Sequence, residues 1–82
     1  MRLLPDPYIK TGRLRMTYEY GGRRLNLDGV SLSTGQGFEL FVDGAYRRGR
    51  VEVGAGDCFY FIFSGSDETT DLLPGMLARL GE

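Results

Sequence analysis

Leu14, Met16, Tyr18 and Tyr20 alternate with Arg13, Arg15, Thr17 and Glu19. Alternating side chains point to opposite faces of an extended backbone, so residues 13–20 predict a strand with one buried face. Gly21-Gly22 follows, and glycine tolerates the positive φ angles of a tight hairpin. On the return, over residues 23–27, Leu25 and Leu27 share one face and Arg24 and Asn26 the other. Asp28-Gly29 marks a second turn, and Val30-Ser31-Leu32 is a short extended piece before a polar loop at residues 33–37. Phe38, Leu40 and Val42 then alternate with Glu39, while Phe41 is sent outward onto the polar face. Asp43-Gly44 is the strongest two-residue hairpin signal in the chain. It leads into a strand over residues 45–53, where Val51 and Val53 interleave with Arg50 and Glu52 and Gly49 is a candidate bulge.

After a turn at residues 54–57 the pattern changes. Residues 58–63 are apolar on both faces, which suits a central strand covered on both sides or one at a barrel seam. Cys58, the first of them, is expected to be an inert core thiol. Residues 64–71 are polar and acidic and read as a loop. Residues 71–75 are expected to form one helical turn, because Pro74 and Gly75 forbid a longer helix. Residues 76–80 fit a last strand or a frayed helix, and the strand is favoured. Residues 1–12, with Pro5, Pro7 and Gly12, read as an irregular N-terminal segment, which leaves 13–82 as a single domain. The sum is an all-β protein of five or six short antiparallel strands with one short helical turn. Curling such a sheet into a small, partly open barrel hides its edges.

Across residues 12–80 the arrangement resembles a bacterial family of short proteins grouped as a domain of unknown function. The resemblance rests on Gly12-Arg13-Leu14, on Leu32-Ser33-Thr34-Gly35-Gln36-Gly37-Phe38-Glu39-Leu40 and on the Asp43-Gly44 turn. It continues through Gly49-Arg50-Val51-Glu52, Phe59-Tyr60-Phe61 and Gly75-Met76-Leu77-Ala78-Arg79-Leu80. Tyr46 stands where that family favours Trp. The resemblance implies an SH3-like barrel and brings no activity, ligand or functional residue with it.

Composition narrows the chemistry. The chain has 82 residues, enough for one domain that buries roughly 60–65% of its unfolded surface. Thirteen glycines and three prolines favour many short elements over a few long helices, and five Phe with five Tyr supply bulk to a thin core. No apolar run reaches the roughly 18 residues of a membrane-spanning helix, so no membrane partner is expected. There is no His and only one Cys, which removes His triads, His or Cys-rich zinc sites and an intramolecular disulfide framework. No cofactor or metal is expected. The first residues lack the apolar stretch of a secretory signal, so a cytoplasmic location is expected. Residues 1–50 hold nine basic and five acidic residues, while residues 51–82 hold one basic and six acidic. Nine of the ten basic residues are Arg, whose planar fork suits phosphate or carboxylate, although a net charge of −1 exerts little long-range pull on nucleic acid.

Catalysis has few candidates. Glu39, Asp43, Glu52 and Asp57 supply carboxylates, but Asp43 and Asp57 sit in turns. Glu39 and Glu52 are placed to meet Arg48 or Arg50 as cross-strand ion pairs. Gly35-Gln36-Gly37 and Gly54-Ala55-Gly56 open no helix that could cradle a phosphate. Aromatics interleaved with arginines are the more informative set: Tyr18, Tyr20, Phe41, Tyr46 and Tyr60 beside Arg15, Arg47 and Arg48. Against an exposed platform stands the need of an 82-residue protein to fill its core with such rings. The alternation places Arg48 and Arg50 on one face and Arg47 on the other, provided that no bulge at Gly49 resets the register. The candidate binding surface is therefore Phe41, Tyr46, Arg47, Arg48 and Arg50, with no catalytic residue. The expected function is a non-catalytic interaction module whose partner is another protein. Nucleic-acid binding through the Arg/aromatic face is the alternative, and an enzyme ranks third. Self-association through an exposed sheet edge is a further expectation.

Overall fold

The computed structural model describes residues 8–81, and these form eight strands with no α-helix among them. They are β1 (Tyr8–Glu19), β2 (Gly22–Leu27), β3 (Val30–Leu32), β4 (Gly37–Val42), β5 (Ala45–Val53), β6 (Phe59–Phe63), β7 (Thr69–Asp71) and β8 (Leu77–Gly81). A single 3-10 turn, Ala55–Asp57, lies between β5 and β6. All strand pairs are antiparallel, in the order β3-β2-β1-β8-β4-β5-β6-β7. No helix among the described residues is long and apolar enough to cross a membrane.

Two sequential meanders are joined by one non-local strand. β1 pairs with β2 along Leu14 to Glu19 and with β8 along Tyr8 to Arg13, so it serves two neighbours in succession. β8 in turn meets β4 at Glu39↔Arg79 and Leu40↔Ala78. The inner faces of both meanders supply one core: Leu14, Leu25, Leu27 and Leu32 from the first, and Phe38, Leu40, Val51, Phe59, Phe61 and Phe63 from the second. A sheet whose two ends share a core has to curl over on itself. Phe61 sits at the centre, edge-on to Phe38 at 4.9 Å and to Phe63 at 5.1 Å, an arrangement that sets ring edges against ring faces.

The all-β reading and the favoured final strand agree with this architecture, and several details are corrected. The strand count is eight rather than five or six, because three-residue pairings at β3 and β7 complete the sheet at its edges. Within the segment read as irregular, residues 8–12 already belong to β1, since β8 supplies them with hydrogen-bonding partners; residues 1–7 lie outside the described residues. The helical turn expected at residues 71–75 is absent. Leu72 N–H instead extends the sheet to Phe59 C=O at 3.0 Å. Pro74 and Gly75, with Gly75 at φ 96°, then form a tight turn closed by Met76 N–H to Leu73 C=O at 3.3 Å. Proline second and a positive-φ glycine third is the pattern of a type II turn.

The first hairpin loop is Tyr20-Gly21, at φ 54° and 78°, rather than Gly21-Gly22, because Gly22 already pairs with Glu19 as the first residue of β2. Gly49 marks no bulge, and its register runs unbroken against both β4 and β6. The aromatic run is the second strand from an edge, not a central one; Phe59, Phe61 and Phe63 face the core, while Tyr60 and Ile62 are half-buried on the outer face. Cys58 is exposed rather than buried, because the strand starts one residue later.

Candidate functional site

The Asp43-Gly44 loop sets the geometry of the β4–β5 face. With both residues at positive φ, 52° and 85°, it forms a two-residue hairpin that puts Phe41 opposite Tyr46 and Glu39 opposite Arg48. Phe38 and Leu40 are buried on the inner side of β4, so Phe41 points outward and keeps 41% of its surface exposed. Its ring meets that of Tyr46 edge-on at 5.1 Å. Edge-on contacts of this kind between cross-strand neighbours fix two large rings on a strand pair.

Arg79, from the outer face of β8, stacks over the Tyr46 ring at 4.0 Å. The same guanidinium donates from Nε to Glu39 Oε1 at 2.7 Å. Arg79 and Glu39 were absent from the candidate surface read in the sequence. They lie 40 residues apart, and only the β4–β8 pairing brings them together. The one local signal was the outward phase of Arg79 between the buried Ala78 and Leu80.

The five candidate residues divide between two faces. Arg48 and Arg50 stand on the outer face with Phe41 and Tyr46, following the register of β5. Arg48 is exposed and makes no ion pair with any described residue, whereas Arg50 holds Glu52 two residues along its own strand at 2.9 Å. Arg47 turns to the inner face instead. Its guanidinium lies 4.1 Å above the Phe63 ring and 3.6 Å from Glu68, so it covers one end of the core. The remaining aromatics do not join this surface. Tyr18 and Tyr20 project from the β1–β2 hairpin, Tyr20 fully exposed, and Tyr60 sits on β6 between Glu52 and Asp71. Glu39 and Glu52 are each engaged with an arginine, and Glu39 reaches Arg79 rather than the Arg48 or Arg50 expected for it. Among the described residues no three or more Cys, Asp or Glu gather as a metal site would require.

Fold and surface together define a small all-β protein: one curled antiparallel sheet, with an outward aromatic pair framed by arginines on its middle strands. The chain belongs to the family described as Domain of unknown function (DUF5348), whose pattern it matches over residues 9–80. No curated protein and no solved structure matches it.

Proposed function

We propose that this protein is a non-catalytic, SH3-like interaction module that binds another protein through the outer face of β4 and β5. One observation carries the reading. Phe41 and Tyr46 form an outward aromatic pair whose orientation is held by Arg79, with the unpaired Arg48 on the same face. Rigid aromatics beside arginine are the residues that dominate protein–protein hot spots, because they bury much area while losing little side-chain freedom. The partner this face fits presents an apolar side chain to Phe41 and an acidic one to Arg48.

The pairing of Arg50 with Glu52 and of Arg79 with Glu39 neutralises much of the positive charge on this face, which favours a protein over a nucleic-acid partner. The SH3-like reading is supported by one core shared between two meanders and by the long strand β1 that serves both. A cytoplasmic location belongs to the same reading, since a lone exposed thiol such as Cys58 suits a reducing compartment.

Affinity capture with the wild type and with F41S/R48E tests the proposal. A protein recovered by the wild type and lost by the variant, with both showing the same thermal melt, is the expected result. Identical recovered sets would overturn it. So would retention on a phosphate resin that falls steeply with salt and disappears when Arg47, Arg48 and Arg50 are replaced by Ala, because that result assigns the face to nucleic acid.

A further inference from the structure

We propose that Arg23, with the two clefts it divides, is a binding site for a carboxylate carried on a short apolar body, distinct from the β4–β5 face. Arg23 lies opposite Tyr18 on the inner face of the first meander, beyond the pair of half-buried Met16 and buried Leu25. Its side chain is half-buried and lines the seam between β2 and the start of β6. There its Nε is the one buried side-chain nitrogen or oxygen among the described residues that lacks a hydrogen-bond partner. No described residue forms an ion pair with it. A buried donor on a permanent cation is costly to leave unpaired, and such sites call for an acceptor.

The surroundings define what that acceptor can be. One cleft of about 160 Å³ is walled by Arg23, Leu32 and Phe59 and edged by Arg24 and Asp57. A second of about 160 Å³ lies between Arg23, Phe59, Leu72 and Leu73, with Asp71 at its margin. Each is about half the roughly 300 Å³ at which small-molecule pockets begin, which admits one residue-sized group and no nucleotide. Two arginines and two aspartates balance before any ligand arrives, so the site accommodates a single negative charge and disfavours a dianion such as phosphate. Nε is shielded from solvent, so the guanidinium turns toward the cleft as the carboxylate docks, and Nε–H and a neighbouring N–H then donate to it at once while the Leu and Phe walls take the apolar body. A branched aliphatic acid and the last residue of a peptide share this chemistry.

NMR observation of the arginine Nε–H signals during titration provides the test, with three probes: isovalerate, acetyl-Ala-Ala-Leu and the C-terminal amide of the same peptide. The Arg23 signal is expected to move together with resonances of Phe59 and Leu72. The amide should bind at least about tenfold more weakly than the free acid, as expected for loss of one charge-assisted hydrogen bond. R23K keeps the charge without the Nε–H and should show a similar loss. Tighter binding of the peptide than of isovalerate assigns the site to a chain terminus; equal binding assigns it to free acids. Equal affinity for acid and amide would overturn the proposal, as would an Arg23 signal that stays still at millimolar ligand or shifts confined to the Phe41 face. Both readouts use the wild-type protein, so they decide the matter even if R23K fails to fold.

Discussion

Gly49 faces Phe38 across β4 and Phe63 across β6, inside the most crowded part of the sheet. A Cβ built there would collide with the Ile62 carbonyl oxygen and stand 2.5 Å from two carbons of the Phe61 ring. The glycine is required by close approach, and a bulge has no part in it. Gly49→Ala is accordingly expected to cost about 2 kcal/mol or more, read as a lower urea midpoint with an unchanged slope. Cys58 makes the opposite point. Hydropathy counts it with the Phe residues that follow, yet it lies one position before the strand, exposed, with Sγ 3.9 Å from Gly56 C=O. In the native protein it should react stoichiometrically with a thiol reagent such as DTNB without denaturant; protection until unfolding would contradict the exposed placement. At this scale the outward phase of Phe41, Arg48 and Arg50 was legible from alternation alone. The roles of Arg79 and Arg23 were not, because each depends on neighbours from a distant strand.

Two-residue loops carry the elements. Tyr20-Gly21, Asp28-Gly29 and Asp43-Gly44 each place both residues at positive φ, the conformation whose twist matches the flanking strands. Nothing lies within 4 Å of a Cβ built on Gly44, so Gly44→Ala tests backbone conformation without a steric clash. The expected loss is about 1 kcal/mol, the usual penalty for an L side chain in the left-handed region, measured by thermal or urea unfolding. An Asp-Gly pair between alternating strands is readable because the demand it meets is local. Where the loop residues are Tyr20 and Gly21 instead, the Gly21-Gly22 dipeptide pointed one position too far. Cross-strand pairing of Glu19 with Gly22 set the register there. The Pro74-Gly75 segment was misread as helix for a related reason. Proline and glycine prescribe a sharp reversal equally well, and the hydrogen bond from Leu72 to Phe59 in the neighbouring strand decided between them.

At the level of the whole molecule, β8 is the only strand among the described residues that links the first meander to the second. It lies between β1 and β4, and it buries Ala78 and Leu80 in the common core. Turn and chain contacts reinforce the junction: Leu14 N–H to Met76 C=O and Gly75 N–H to Leu14 C=O are both 2.8 Å, and Arg13 Nη1 donates to Gly75 C=O at 2.7 Å. A chain ending at Met76 should therefore lose cooperative folding altogether, seen as collapse of amide dispersion in NMR and loss of the near-ultraviolet signal. Survival of a native-like spectrum would show that the meanders fold independently. Among the described residues the edge strands are short, three residues each in β3 and β7, and Asp71 closes β7, features that discourage pairing with further strands. The strand class, the hairpin sequence and the face of most side chains were determined by the sequence alone, because alternation and glycine-bearing turns act between residues close in the chain. Tertiary structure decided the placement of β8 between β1 and β4, the ordering of Tyr46 by Arg79 and the shielding of Arg23 Nε in the seam beside Phe59. Those outcomes depend on segments tens of residues apart meeting across one core, and no local pattern encodes which of them will meet.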